Sequence, residues 1–137
     1  VEHDEYIGAG SGAFGFLNGY IFSNTFSLQE YIRVLRDGKL PIAFSRKFRI
    51  KELMRYHFLM KLFGMRLNIK ELNEKYSGRF YPSVWKEIAF FETIGAVAKK
   101  GNDLSLTKKG MYYWLIMMRE FFTSVNNFRE YCRNEIL

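Results

Sequence analysis

The chain has 137 residues, 48% of them hydrophobic and 26% charged, which excludes a disordered tail and provides for one domain or a domain with part of another. A single cysteine, Cys132, excludes an internal disulfide and any multi-cysteine zinc or iron–sulfur site built from this chain alone, and the longest apolar run, Met111–Met118, is far too short to span a bilayer. The formal charge of +7 is densest between Arg33 and Arg55, where eight Lys or Arg accompany two acids, a distribution that suits an anionic partner.

In chain order, Val1–Tyr6 has neither an initiator Met nor the regions of a signal peptide, and it runs at once into a glycine loop. This start reads as a piece cut from a longer polypeptide. Tyr6-Ile7 reads as the end of a strand, followed by Gly8-Ala9-Gly10-Ser11-Gly12-Ala13-Phe14-Gly15. Phe16–Phe22 is aromatic and β-favouring, interrupted by Gly19. Ser27 is an N-cap with Glu30 at capping-box spacing, and the helix it opens repeats Leu28, Tyr31, Ile32 and Leu35 before stopping at Gly38. Lys39–Ile50 contains Pro41 and predicts an irregular connector carrying Arg46-Lys47-Phe48-Arg49.

The remainder predicts helices over about 51–63, with Met54, Phe58 and Leu62 on one stripe, and about 69–76. A third opens after Pro82-Ser83 and presents Val84, Ile88 and Phe91 before Gly95. Ala96–Thr107 reads as a hairpin about Gly101-Asn102-Asp103. Three helices followed by a hairpin is the order of a winged helix. Met111, Trp114, Leu115, Met118, Phe122 and Val125 place an apolar stripe on a long last helix, expected to loosen near Ser124–Asn127. The class is therefore α+β, mostly helical, with a winged-helix-like unit and a short N-terminal β element.

Gly10-Ser11-Gly12-Ala13-Phe14-Gly15 matches G-x-G-x-x-G, but a dinucleotide site needs its last glycine to open a helix, and Phe16–Phe22 favours a strand. No Walker lysine follows, so a P-loop fails too. The glycines let the backbone turn tightly or approach a ligand closely. His3 and His57 have no Cys, Asp or Glu partners at metal-ligand spacing and read as surface or packing histidines; Cys132, beside Arg129 and Arg133, reads as a structural thiol. No nucleophile–base pair is visible, so no catalytic residue and no metal ligand is assigned. A nucleic-acid-binding winged helix is the rival reading. Its recognition helix would carry Lys86 against Glu87 and Glu92, a poor match to phosphate, so sequence-specific nucleic-acid binding is not expected.

Taken together, Tyr6-Ile7-Gly8-Ala9-Gly10 with Ala13, Asn24-Thr25, Leu28, Tyr31, Leu35 and Leu40-Pro41-Ile42-Ala43 resemble the C-terminal part of the radical S-adenosylmethionine, oxygen-independent coproporphyrinogen III oxidases. The resemblance continues through Glu52-Leu53, Arg55, Arg66-Leu67-Asn68, Lys75-Tyr76-Ser77-Gly78, Ile94-Gly95 and Leu106-Thr107-Lys108-Lys109-Gly110. It implies that residues 1–22 end a barrel, 23–50 hold a helix and basic connector, and 51–137 form the C-terminal domain over the barrel mouth. It implies S-adenosylmethionine near Gly8, Gly10, Ala13 and Phe14. It also implies a four-iron–four-sulfur cluster held by a Cys-x3-Cys-x2-Cys motif that this chain lacks, so that the fragment alone binds neither group and has no oxidase activity. The implied reaction removes hydrogen and carbon dioxide from two propionates of a porphyrinogen, leaving vinyls, in haem biosynthesis. Relatives of this type include haem-utilisation and haem-binding proteins. The substrate carries four carboxylates, and Arg46, Lys47, Arg49 and Arg55 are the candidates to bind them, because guanidinium groups hold carboxylates in bidentate fashion. The expected partners are a porphyrinogen or haem-related molecule and the chain's own barrel, with no membrane, in the cytoplasm.

Overall fold

The computed structural model describes residues 5–136; His3, and the side chains of Cys132, Arg133, Glu135 and Ile136, lie outside that description. The described residues divide into two compact units, one of residues 5–48 with 120–136 and one of residues 49–119.

In the first unit, β1 (Phe14–Leu17) and β2 (Tyr20–Asn24) pair antiparallel, and β3 (Ile42–Lys47) joins the other side of β2. Asn18 and Gly19 both have positive φ, 51° and 77°, as a two-residue hairpin loop requires if its twist is to match that of the strands. Gly19 is thus the corner between two strands rather than an interruption of one. Tyr6 contributes only an isolated bridge to Phe16. The expected irregular connector is corrected as well: within Lys39–Ile50, residues 42–47 are a strand. All six are exposed, so they show no alternation of buried and open positions, and their partners lie far off in sequence, Tyr20 opposite Lys47 and Ile21 opposite Arg46.

The first helix, α1 (Leu28–Arg36), is capped by Ser27, whose hydroxyl accepts the Glu30 N–H at 3.3 Å. The reciprocal half of the capping box is replaced. The Glu30 carboxylate binds Arg33 at 2.6 Å, and the Ser27 N–H donates to Thr25 Oγ1. No residue of α1 is buried, although its apolar stripe lies where the period predicts.

The second unit contains α2 (Ile50–Phe63), β4 (Arg66–Asn68), α3 (Ile69–Lys75), α4 (Phe80–Thr93), β5 (Val97–Lys100) and β6 (Asp103–Leu106). Its sheet is antiparallel in the order β4-β6-β5, and the expected hairpin is β5-β6. Met54, Phe58 and Leu62 recur every four residues on α2 and are all buried, with Phe80, Val84 and Ile88 of α4 and Leu67 and Leu104 of the sheet completing the core. Helix α4 begins two residues before Pro82, not after it; in the first turn a missing N–H breaks no helical bond. Strand β4 is too short, at three residues, to show a period. His57 is a packing histidine, buried and bonded to the Tyr76 hydroxyl.

Helix α5 (Lys108–Ile136) starts in the second unit and ends in the first. The expected loosening near Ser124–Asn127 does not occur, because that stretch contains neither Gly nor Pro. Its stripe is not one buried seam either: Trp114 is buried while Leu115 and Phe122 are exposed.

One ion pair of the second unit carries a pH dependence. Arg66 lies 2.9 Å from Asp103, and the Asn68 amide donates to the same carboxylate at 2.9 Å. The Arg66 hydrogen bond first, and the Asn68 one second, hold the Asp103 carboxyl below its usual range. A depressed folded value adds stability above the unfolded value, and that stability is lost as pH falls through the folded one. The contribution is complete at neutral pH and fades below about pH 4. Asp103→Asn is expected to flatten the fall of the urea midpoint below that pH while leaving its shape above about pH 5 unchanged.

Candidate functional site

The glycine loop before β1 is held from within its own unit. The Asn24 side-chain amide, on a buried residue, donates to the carbonyls of Gly8 and Gly10, each at 3.0 Å. The Gly10 N–H donates to the Tyr31 hydroxyl at 2.9 Å, and the Ser11 hydroxyl faces the carbonyls of Thr25 and Phe26 at 3.0 and 2.8 Å. Gly12 donates its N–H to the Thr25 carbonyl at 2.8 Å and accepts from Arg129, whose Nε and Nη2 lie 3.2 and 3.0 Å from its oxygen. The loop therefore spends these polar groups on the chain itself. Ser11, Tyr31 and Arg129 were not legible as parts of this site. No local pattern marks them, since their partners are backbone atoms 14 to 117 residues away.

The four residues assigned to cofactor proximity separate into two kinds. A Cβ on Gly8 would stand 2.0 Å from the Phe14 carbonyl oxygen and 3.0 Å from the Ala13 Cβ, so Gly8 is small because it packs on its own loop, with Ala13 beside it. Gly10, at φ +109°, has no atom within 4 Å of where a Cβ would stand, and its Cα faces open space. Phe14 is half-buried and faces outward onto the sheet.

There the strand register builds a cleft. Phe14 pairs with Ser23 and Ser23 with Phe44, while Ile21 pairs with Arg46. Alternation places these five side chains on one face of the three strands. They line an open, mostly apolar depression of about 310 Å³, a volume at the low end for small-ligand sites, with one guanidinium among its walls. Phe14 and Arg46 are thus brought together across three strands. Lys47 is not: as the next residue of β3 it belongs to the opposite face, where its ammonium lies 5.5 Å from the centre of the Tyr20 ring.

Arg49 and Arg55 belong to the other unit. Arg49 precedes α2, and its N–H donates to the Glu52 carboxylate at 2.8 Å. Arg55 is paired with Glu87 of α4 at 3.0 Å. Among the described residues no group of three His, Cys, Asp or Glu is placed to hold a metal ion, and no helix is long and apolar enough to cross a membrane.

No protein-family model and no curated protein matches the sequence. Among solved structures, the chain is similar to coproporphyrinogen III oxidase (HemN) from Escherichia coli, described as a radical SAM enzyme. The TM-score is 0.57 and the identity 15%, over 77% of this chain. The match takes in 25% of that protein, so the chain corresponds to about a quarter of its length. Over that span the two share a fold.

Proposed function

We propose that this chain is the C-terminal, substrate-covering part of a radical S-adenosylmethionine enzyme that oxidatively decarboxylates porphyrinogen propionates. The observation that carries this reading is the cleft that joins Phe14 to Arg46, on a chain whose fold is similar to a coproporphyrinogen III oxidase. In this reading residues 1–22 close a barrel supplied by the rest of the protein, and residues 51–107 are a winged-helix-like unit. The helix–strand–helix–helix–hairpin order and the β4-β6-β5 sheet support the latter.

The residues present fit S-adenosylmethionine in a limited way. The Phe14 ring offers an apolar face to a flat group, and the open Cα of Gly10 admits close approach, while the loop's bonded polar atoms stay with the chain. When bound, that cofactor supplies a radical that removes hydrogen from a propionate side chain. The cluster that opens it needs three thiolates, and this chain has one cysteine. The cluster ligands therefore belong to the remainder of the protein.

What this chain contributes is binding and orientation. The Arg46 guanidinium matches a carboxylate in charge and in its planar pair of donors, and the apolar walls beside it favour the hydrocarbon edge of a tetrapyrrole. Lys47, Arg49 and Arg55 are the further candidates. Arg55 starts with its carboxylate partner already in place, so it would have to exchange Glu87 for substrate.

Arg46→Ala in the complete protein tests the assignment. A charge-assisted hydrogen bond to carboxylate contributes about 1.5–3 kcal/mol, so the Michaelis constant is expected to rise roughly ten-fold or more. Lys100→Ala on the hairpin removes the same charge elsewhere and is expected to leave it unchanged. Equal constants for Arg46→Ala and the unaltered protein would remove Arg46 from the substrate site. Tight haem binding without turnover would move the protein to the haem-utilisation or haem-binding relatives instead.

A further inference from the structure

We propose that Arg129 is the positioning residue of the glycine loop: the distal part of α5 reaches back and fixes the Gly12 carbonyl, and with it the direction in which Phe14 faces. The proposal rests on the reading of Phe14 as a ligand contact only for its functional consequence. The contact itself stands on geometry.

Gly12 is buried, so its carbonyl oxygen has to find a donor inside the protein. Both Nε and Nη2 of Arg129 point at that one oxygen, at 3.2 and 3.0 Å, across 117 residues of chain. One turn of backbone away, Asn126 accepts from Nη1 of the same guanidinium at 3.5 Å and steadies it. The neighbouring residue, Phe128, sets its ring edge-on to Phe26 at 5.5 Å. Phe26 in turn covers Gly12 so closely that a Cβ there would lie 2.8 Å from its ring. The loop is therefore clamped on both sides of Gly12, by a ring above its Cα and a cation on its oxygen.

Two residues downstream, Phe14 enters β1. Rotation of the Gly12–Ala13 peptide would release Arg129, and it would also turn the chain that presents Phe14 to the cleft. Nothing in the loop's own sequence enforces the observed orientation. Gly10 and Gly12 have φ of 109° and 66°, a region open to glycine, so the loop is intrinsically free to take others. The constraint comes from the loop's partners elsewhere in the chain, and on the Gly12 carbonyl it comes from the helix.

Amide hydrogen exchange on this chain tests it without any ligand. Arg129→Met keeps the aliphatic stem and removes all donors, and is expected to speed exchange of the Gly10 and Gly12 amides about ten-fold or more. The amides of Leu104 and Leu106, in the other unit, are expected to keep their rates. Arg129→Lys keeps the charge on a single, strongly hydrated donor group and is expected to fall between the two. Unchanged rates at Gly10 and Gly12 in Arg129→Met would overturn the proposal. If that variant does not fold, unchanged rates in Arg129→Lys overturn it alone. Faster loop exchange, combined with S-adenosylmethionine binding by the complete protein that does not respond to Phe14→Ala, would keep the clamp and reject the ligand role of Phe14.

Discussion

Phe80→Ala is expected to lower the unfolding free energy by about 3–5 kcal/mol, the cost of deleting a fully enclosed aromatic ring. Phe80 is the first residue of α4, has no exposed surface, and stacks on Tyr76 with ring centres 6.1 Å apart and planes 17° from parallel. Tyr76 in turn holds His57 through its hydroxyl. Removing the ring opens a void between the end of α3 and the start of α4 and loosens the packing behind a buried polar pair. Small domains have only about 5–15 kcal/mol in hand, so much of the second unit's stability goes with it. Urea unfolding followed by Trp fluorescence measures the change, since Trp114 lies in the same core. Phe90→Ala is the comparison: that ring is 59% exposed, and its loss is expected to cost within about 0.5 kcal/mol. Equal losses at the two positions would mean that the core is not where Phe80 sits.

Gly8→Ala carries the second largest effect, and it falls on the candidate site. The added methyl would stand 2.0 Å from the Phe14 carbonyl oxygen and 2.7 Å from its carbonyl carbon. Both are backbone atoms, so no side-chain rotation relieves the overlap. Either the loop or the start of β1 has to move. Overpacking of this kind costs about 1–3 kcal/mol, and here the displacement is delivered to the residue that lines the cleft. Gly10→Ala separates overlap from strain. Its Cβ would meet nothing within 4 Å, leaving only the penalty of a positive φ, about 1–2 kcal/mol for an L residue. The expected result is a large change in the Phe14 ring and amide resonances for Gly8→Ala and a small one for Gly10→Ala. The reverse order would show that Phe14 does not depend on Gly8 for its place.

The two effects differ in how readable they are from sequence. Val84, Ile88, Met54, Phe58 and Leu62 announce a buried face because apolar residues recur at helical spacing, and all five are buried. The order of helices and hairpin in residues 50–106 follows from local signals too, namely Gly64, Ser77-Gly78, Gly95 and the turn at Gly101. The hairpin of β1 and β2 was equally available in Asn18-Gly19, the commonest signal for a two-residue turn. It was obscured because the aromatic residues on either side read as one strand.

Strand β3 had no such signal. An exposed strand shows no burial period, and its reason for being a strand is β2, some twenty residues earlier. This one element decides the candidate site. Read as an irregular connector, Arg46 and Lys47 are two cations in a row. Paired into a sheet, they fall on opposite faces, one in the cleft with Phe14 and one over Tyr20.

What the amino-acid sequence determined by itself is therefore what short-range physics controls: the helices and their buried stripes, the turns that need glycine, the charge, the single thiol, and a resemblance carried by ordered short motifs. Tertiary structure alone decided which cation shares a wall with Phe14, why Gly8 is small, and how Gly12 is held. The first and the last depend on atoms that meet across long stretches of chain, 117 residues in the case of Arg129, and the other on a loop that folds back onto the start of β1. Periodicity and capping act within a few residues. Strand register, the overlap of a methyl with a carbonyl, and a guanidinium on a buried oxygen exist only once the chain has folded back on itself.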